Sequence, residues 1–266
     1  MNAVFDVGAD DGFHGILFAF LNPKINVYAF EPIKGSKRII SANLKKIENF
    51  FRIKIRNYKI INSAVSDFNG YKIFYETNYK VASSLLKPKK KLNKFWTKSE
   101  DLLIKTVSTG MKIKKNYKLR FLTLEKFCKK NSIKIINYLH IDAQGHDLRI
   151  IKSLKNFKKC LIEGVAEVPK NEKLKIYEQE QSFRQLKKKF KEWKFEITEI
   201  EEVQKNFPSF NIYFKTNNID ANKQNKITFN YPTKRFGRMF KRVFSNNVNI
   251  KDFIFSYLWR LKKNII

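Results

Sequence analysis

The sequence predicts an α/β protein, an open and mostly parallel sheet with helices on both faces. Three observations predict it. Short apolar runs alternate with amphipathic segments over residues 1–216. Four of those runs end on an acid, at Asp6, Glu31, Asp142 and Glu167. The 266 residues are 43% hydrophobic and 15% aromatic, enough for one sizeable core and too apolar for a disordered chain. In sheets of this kind ligands bind beyond the carboxyl ends of strands, near the switch point. The site is therefore expected after Asp6, Glu31, Val65, Asp142 and Glu167.

Ala3–Asp6 is a short strand ending in a glycine turn, and Gly12–Leu21 has helical spacing, stopped by Pro23. Ile25–Phe30 is a second strand. Ser36–Phe50 sets Ile39, Ile40, Leu44 and Ile47 on one helical face. Tyr58–Val65 reads as a strand, and the turn Ser66-Asp67-Phe68-Asn69-Gly70 leads to a hairpin-like return over Tyr71–Glu76. Residues 77–118 are irregular, with a lysine cluster at Lys87–Lys94 and a strand expected around Leu102–Val107. Thr123 is placed to N-cap a helix reaching Lys130. Asn137–Asp142 is a strand and Gly145–Phe157 a helix. Cys160–Val168 is a strand and Glu172–Trp193 a long helix, and Phe195–Ile200 and Asn211–Lys215 are two more strands.

Residues 217–266 differ. They hold 11 Lys+Arg and 2 Asp, a net charge of +9 within a total of +31. Phe236, Phe240, Val243 and Phe244 share one helical face, with Arg235, Arg238, Lys241 and Arg242 between them. Phe253, Ile254, Tyr257, Leu258 and Leu261 form a second amphipathic stretch. The segment 232–263 can be a basic anchor at the surface of a membrane, useful if the acceptor is lipid-linked. It can equally be a pair of helices packed on the domain. Elsewhere the charge is a lysine background, 45 Lys against 10 Arg. Arg, the better fork for phosphate, is scarce. No stretch of 18 apolar residues exists, and Met1–Asp6 lacks the pattern of a signal peptide. Cys128 and Cys160 make no disulfide framework. A cytoplasmic setting is expected.

The loop Val4-Phe5-Asp6-Val7-Gly8-Ala9-Asp10-Asp11-Gly12 follows a strand and opens a helix, so its backbone can approach a ligand closely. Its three carboxylates would repel a pyrophosphate, and Gly8, Gly12 and Gly15 do not have dinucleotide-site spacing. Asp6, Gly8, Asp10 and Gly12 suit instead a ligand with an ammonium or sulfonium. Glu31, about 20 residues after Gly12, can accept hydrogen bonds from both hydroxyls of a ribose. Together they describe S-adenosylmethionine.

Ordered blocks then carry a resemblance. They are Val4–Ala9, Phe30-Glu31-Pro32, Asn62–Asp67 with Gly70, Ser83-Ser84-Leu85, Thr123–Phe127, Ile141–Leu148, Glu167-Val168, and Tyr177-Glu178 with Gln181-Ser182-Phe183. In this order they resemble the FkbM-type, S-adenosylmethionine-dependent class I methyltransferases over about residues 1–216. The resemblance implies a Rossmann-like fold with a final antiparallel strand over residues 1–216, and the amphipathic spacing of 217–266 adds a C-terminal helical tail. It implies methylation of a hydroxyl of a sugar, glycan or related natural product. It places Asp6 and Gly8 at the methionine part of the cofactor and Glu31 at the ribose. Asn62, Ala64 and Val65 fall beside the adenine, and Asp142 near the methyl group and acceptor. The family usually has an acid where Gln144 stands, and a segment before the first strand. Either the pocket is more open here, or the start lies upstream.

Methyl transfer to an alcohol needs alignment of the acceptor oxygen and removal of its proton. His146, at a helix start beside the switch point, is the preferred base, because a helix N-terminus disfavours imidazolium. A purely packing role is the alternative. Asp142 would orient the base or the hydroxyl. Ser83, Ser84, Gln144 and Glu167 are the candidate acceptor-binding residues. Asp142, Asp147 and Glu167 could recruit Mg²⁺ but lack a tight ligand motif, so a metal is not favoured. His14 is expected to pack or to touch the cofactor's carboxylate, and His140 to be structural. Two other functions compete. An RNA methyltransferase is suggested by the charge, but no Asn-Pro-Pro-Tyr-like motif and no Pro-Cys nucleophile are present, so nucleic acid is the disfavoured partner. A non-catalytic module on the same fold, binding membranes or polyanions, is the other.

Overall fold

Seven strands form the main sheet of this computed structural model, which describes residues 1–216, 227 and 229–245. The strands of the chain are β1 (Asn2–Val7), β2 (Asn26–Phe30), β3 (Tyr58–Ile61), β4 (Ala64–Val65), β5 (Gly70–Thr77), β6 (Ile113–Leu122), β7 (Ile135–Ile141), β8 (Leu161–Pro169), β9 (Phe195–Glu202) and β10 (Ser209–Thr216). The helices are α1 (Phe13–Leu21), α2 (Lys34–Phe51), α3 (Lys94–Thr97), α4 (Leu102–Gly110), α5 (Leu124–Lys130), α6 (Asp147–Ser153), α7 (Phe183–Trp193) and α8 (Lys234–Phe244). The sheet order is β3-β2-β1-β7-β8-β10-β9, parallel except for β10, which runs antiparallel to both its neighbours. This is the Rossmann-like architecture expected, with its late antiparallel strand.

β1 is buried on both faces, so its residues alternate between two cores rather than between core and water. Phe5 and Val7 join Tyr28, Phe30, Phe127 and Leu139 on the side of α5–α7. Val4 joins Ile16, Phe18, Val27 and Ile40 on the side of α1, α2 and α8. Phe5 meets Phe30 and Phe127 edge-on at 5.6 and 5.8 Å. The chain winds from β1 to β2 and β3, then returns to β7 on the other side of β1. The switch point therefore lies between the ends of β1 and β7, where the Asp142 N–H donates to the Val7 carbonyl at 2.9 Å.

Several sequence expectations are corrected. Tyr58–Val65 is not one strand. Asn62 anchors its amide on the Glu31 carbonyl (3.1 Å), Ser63 turns the chain, and Ala64–Val65 enters a second sheet of order β4-β6-β5. Tyr71–Glu76 pairs not with that strand but with β6, where Tyr117, Leu119 and Phe121 alternate with exposed Lys118 and Arg120 inside a lysine-rich run. Leu102–Val107 is helical: Asp101 caps Ile104 (3.0 Å), and Ile104 and Val107, three residues apart, are buried. The helix expected over Glu172–Trp193 is broken. A short 3₁₀ turn at Glu172–Leu174 is followed by an irregular stretch, and α7 starts only after Ser182. Helix 145–157 is shorter, Asp147–Ser153, continuing as a 3₁₀ turn over Lys155–Cys160. On α2, Ile40 and Ile47 are buried, but Ile39 faces solvent.

The 77–118 segment and the irregular 175–182 stretch close over the carboxyl end of the sheet. Their common core holds Trp96, Ile104, Val107, Met111, Ile176, Tyr177 and Phe207. In the tail, α8 turns its apolar side inward. Phe240, 0% exposed, lies against Phe13, Phe20 and Phe51, and Lys46 of α2 bonds the Phe244 carbonyl. Arg238, Lys241 and Arg242 stay exposed. The second amphipathic stretch, Phe253–Leu261, lies outside the described residues. Among the described residues, no helix is long and apolar enough to cross a membrane.

Candidate active site

A cleft of about 750 Å³ opens at the switch point. Gly8, Asp10, Glu31, Ala64, Val65, Ser83, Asp142, Gln144 and His146 all line it. Gly8 is required there. Its φ is +85°, and a Cβ would sit 1.9 Å from the Asp142 carbonyl oxygen. The bare backbone lets the β1 turn lie against the β7 end and keeps the cleft floor open. Glu31 follows β2, and its carboxylate is fixed by two backbone donors, Asp10 N–H (3.0 Å) and Ile33 N–H (2.9 Å). Burial outweighs those bonds and pushes its carboxyl up to about 7. Apolar walls from Phe74, Leu85, Phe121 and Ile150 face Ala64 and Val65. A flat, mostly apolar ring fits between such walls, and a diol fits on Glu31.

Other site candidates stand elsewhere. Asp6 points away from the cleft, toward α1. Its Oδ1 takes the Nδ1 of His140 (2.9 Å), and its buried Oδ2 has no partner among the described residues. His14 stacks on His140 at 4.2 Å, so both histidines belong to this support beneath the loop. Gly12, φ +86°, starts α1 against Ile40 and Tyr58. Asn62 braces Glu31 from behind. Ser84 is buried and donates to the Gln144 carbonyl (2.7 Å), while Ser83 stays in the cleft wall and accepts from the Thr77 N–H (3.1 Å).

A second cavity of about 790 Å³ adjoins the first, and Gln144 and Val81 line both. Gln144 is locked there. Its amide donates to Asp142 Oδ1 (2.6 Å), and its Oε1 accepts from the Tyr177 hydroxyl (3.2 Å). Asp142 is exposed at the cleft, with Gln144 bonded to it and His140 close by. Glu167 belongs to the second cavity. Desolvation, with Asp142 close by, pushes it up to about 8. His146, 2% exposed, is held with Nε2 at 2.9 Å from Ser66 Oγ, and its Nδ1 has no partner among the described residues. Its pKa falls to about 3, with burial as the main cause and Arg149 next, so the ring is neutral at pH 7. Among the described residues, no three His, Cys, Asp or Glu side chains are grouped to hold a metal.

Sequence reasoning missed Lys80. Its ammonium reaches Ser36 Oγ (2.8 Å) and Asp10 Oδ1 (3.4 Å) across the mouth of the cleft. One lysine among 45 in an irregular segment carries no sequence signal. Trp96, Glu180 and Phe207 of the second cavity were equally hidden, because the chain segments that bring them together are irregular.

Comparison with known proteins follows the same lines. No curated protein matches the chain. Among solved structures, M. capricolum TrmK with S-adenosylhomocysteine is 13% identical, with a TM-score of 0.41, over 81% of this chain and 62% of that one. This chain thus spans less than two thirds of that protein's length. A precorrin-6y C5,15-methyltransferase from Geobacter metallireducens is 12% identical, with a TM-score of 0.38, over 80% of this chain and 78% of that one. A putative rRNA methylase from Clostridium thermocellum is 10% identical, with a TM-score of 0.40, over 80% and 87%. Likeness at this level says nothing of substrate. The profile of the methyltransferase FkbM domain, by contrast, matches residues 6–197, most of the chain. With that match over more than half its length, this chain belongs to the FkbM family of S-adenosylmethionine-dependent methyltransferases.

Proposed function

We propose that the protein methylates a hydroxyl of a sugar, glycan or related natural product. The observation that carries this reading is the meeting of two cavities at Gln144, beside Asp142. One cavity suits the cofactor, and the adjoining one offers space for an acceptor. S-adenosylmethionine supplies an electrophilic methyl group on sulfur and leaves as the thioether. Gly8, Glu31, Ala64 and Val65 would hold it. The chain's own task is to bring the acceptor oxygen to the junction and take its proton as the new C–O bond forms. Asp142, at the junction beside Gln144, is placed to accept the hydroxyl's hydrogen bond. His146 is neutral at pH 7 and lines the cofactor cleft, where it can accept a hydrogen bond; its low pKa leaves Asp142 the stronger base. The exposed basic side of α8 supports contact with an anionic surface that carries a lipid-linked acceptor.

Asp142→Asn and His146→Ala are expected to bind S-adenosylhomocysteine within a few-fold of the native chain. Turnover of an accepted glycan should fall about 100-fold or more. Native turnover in both variants would remove these residues from the reaction.

A further inference from the structure

The second cavity has a charge pattern opposite to that of the chain. The chain carries 55 Lys+Arg, yet neither type is among the described residues that line this space. The walls are Trp96, Tyr177 and Phe207, and the polar groups include the carboxyls of Glu167 and Glu180. Glu180 is 7% exposed. Its Oε2 accepts from the N–H groups of Ile176 (2.7 Å) and Tyr177 (3.0 Å), while no described residue bonds its Oε1. Glu167 stands near the end of β8 with Ser209 as its hydrogen-bond partner. A carboxyl as enclosed as that of Glu180 is costly in its ionised form. Burial accordingly raises Glu180 to about 7 and Glu167 to about 8. Lys89 and Lys175 act on Glu180 from outside the cavity, and Lys175 is paired with Glu172.

A phosphate or carboxylate entering this space would meet two acids and no cation. An uncharged polyol would bring no positive charge to either carboxyl. A protonated amine would supply one, and aromatic faces add a favourable cation–π contact. We propose that the acceptor is an amine-bearing polyol of the amino-sugar class. Its ammonium sits between Glu167 and Glu180, and a neighbouring hydroxyl reaches Asp142 and Gln144. This rests on the hydroxyl-methylation reading above and adds its substrate class.

The full chain, saturated with S-adenosylhomocysteine, would be titrated calorimetrically with three probes: methyl glucosaminide, its N-acetyl counterpart and glucose 6-phosphate. The amine is expected to bind at least tenfold more tightly than the acetamide, with the phosphate ester weakest. Glu180→Gln should bring the amine down to the acetamide's affinity and leave S-adenosylhomocysteine binding within twofold. Equal binding of amine and acetamide, preference for the phosphate, or binding by none of the three overturns the inference. A chain that binds the amine selectively yet methylates no hydroxyl of any glycan, amino sugars included, would instead strike the reading beneath it.

Discussion

At the scale of single residues, Glu31 shows how packing gives a common side chain a special behaviour. Its carboxyl ends a strand, loses water, and gains only two backbone N–H bonds in exchange. Its pKa rises from 4.5 to about 7. In the free protein, the stabilisation from its uncharged form is full below about 4.5 and is lost as pH rises through about 7. The ionised form is the better acceptor for two ribose hydroxyls. Affinity for S-adenosylhomocysteine should therefore rise from pH 6 to pH 8. Glu31→Gln should weaken binding about tenfold, or about 1.4 kcal/mol, and flatten that rise. Calorimetry at three pH values checks both, and a flat native profile would count against Glu31 as the ribose ligand.

At the scale of elements, the break before α7 matters most. A continuous helix over residues 172–193 would satisfy the local pattern. Ser182 and Gln185 instead form a capping box that fixes the helix start, with the Ser182 N–H donating to Gln185 Oε1 at 2.9 Å. Residues 175–182 are thereby freed to bring Tyr177 to Gln144 and Glu180 to the second cavity. Ser182→Ala should cost about 1 kcal/mol in a denaturant titration. It should also speed amide exchange over residues 176–181. Unchanged exchange there would mean that the Lys87–Glu178 and Lys89–Ile176 backbone bonds hold the segment by themselves.

At the scale of the whole molecule, α8 is part of the packed structure, because its apolar side completes the core on α1 and α2. Phe240→Ala would empty a site with four aromatic neighbours and should cost about 3–5 kcal/mol in unfolding free energy. A loss below about 1 kcal/mol would show that the helix adds little to that core. Its outer side carries the proposed surface contact. Replacing Arg238, Lys241 and Arg242 with Gln should reduce co-sedimentation with anionic vesicles, by about 1 kcal/mol per charge removed. Equal binding of the native chain to anionic and neutral vesicles would refute an electrostatic contact.

The sequence by itself determined the alternating strand and helix order, the glycine loop, Glu31 and the switch-point position of Asp142. Each depends on local spacing and on residue types suited to one backbone environment. Tertiary structure alone decided that 58–65 divides between two sheets, that the 113–122 strand pairs with β5, and that Asp6 faces His140 rather than the cleft. It alone gathered Lys80 at one cavity and Trp96, Glu180 and Phe207 at the other. The reason is physical. A local period records which side of an element is dry, but not which distant segment dries it. The chain's surplus of lysine further hid a cavity whose lining is acidic.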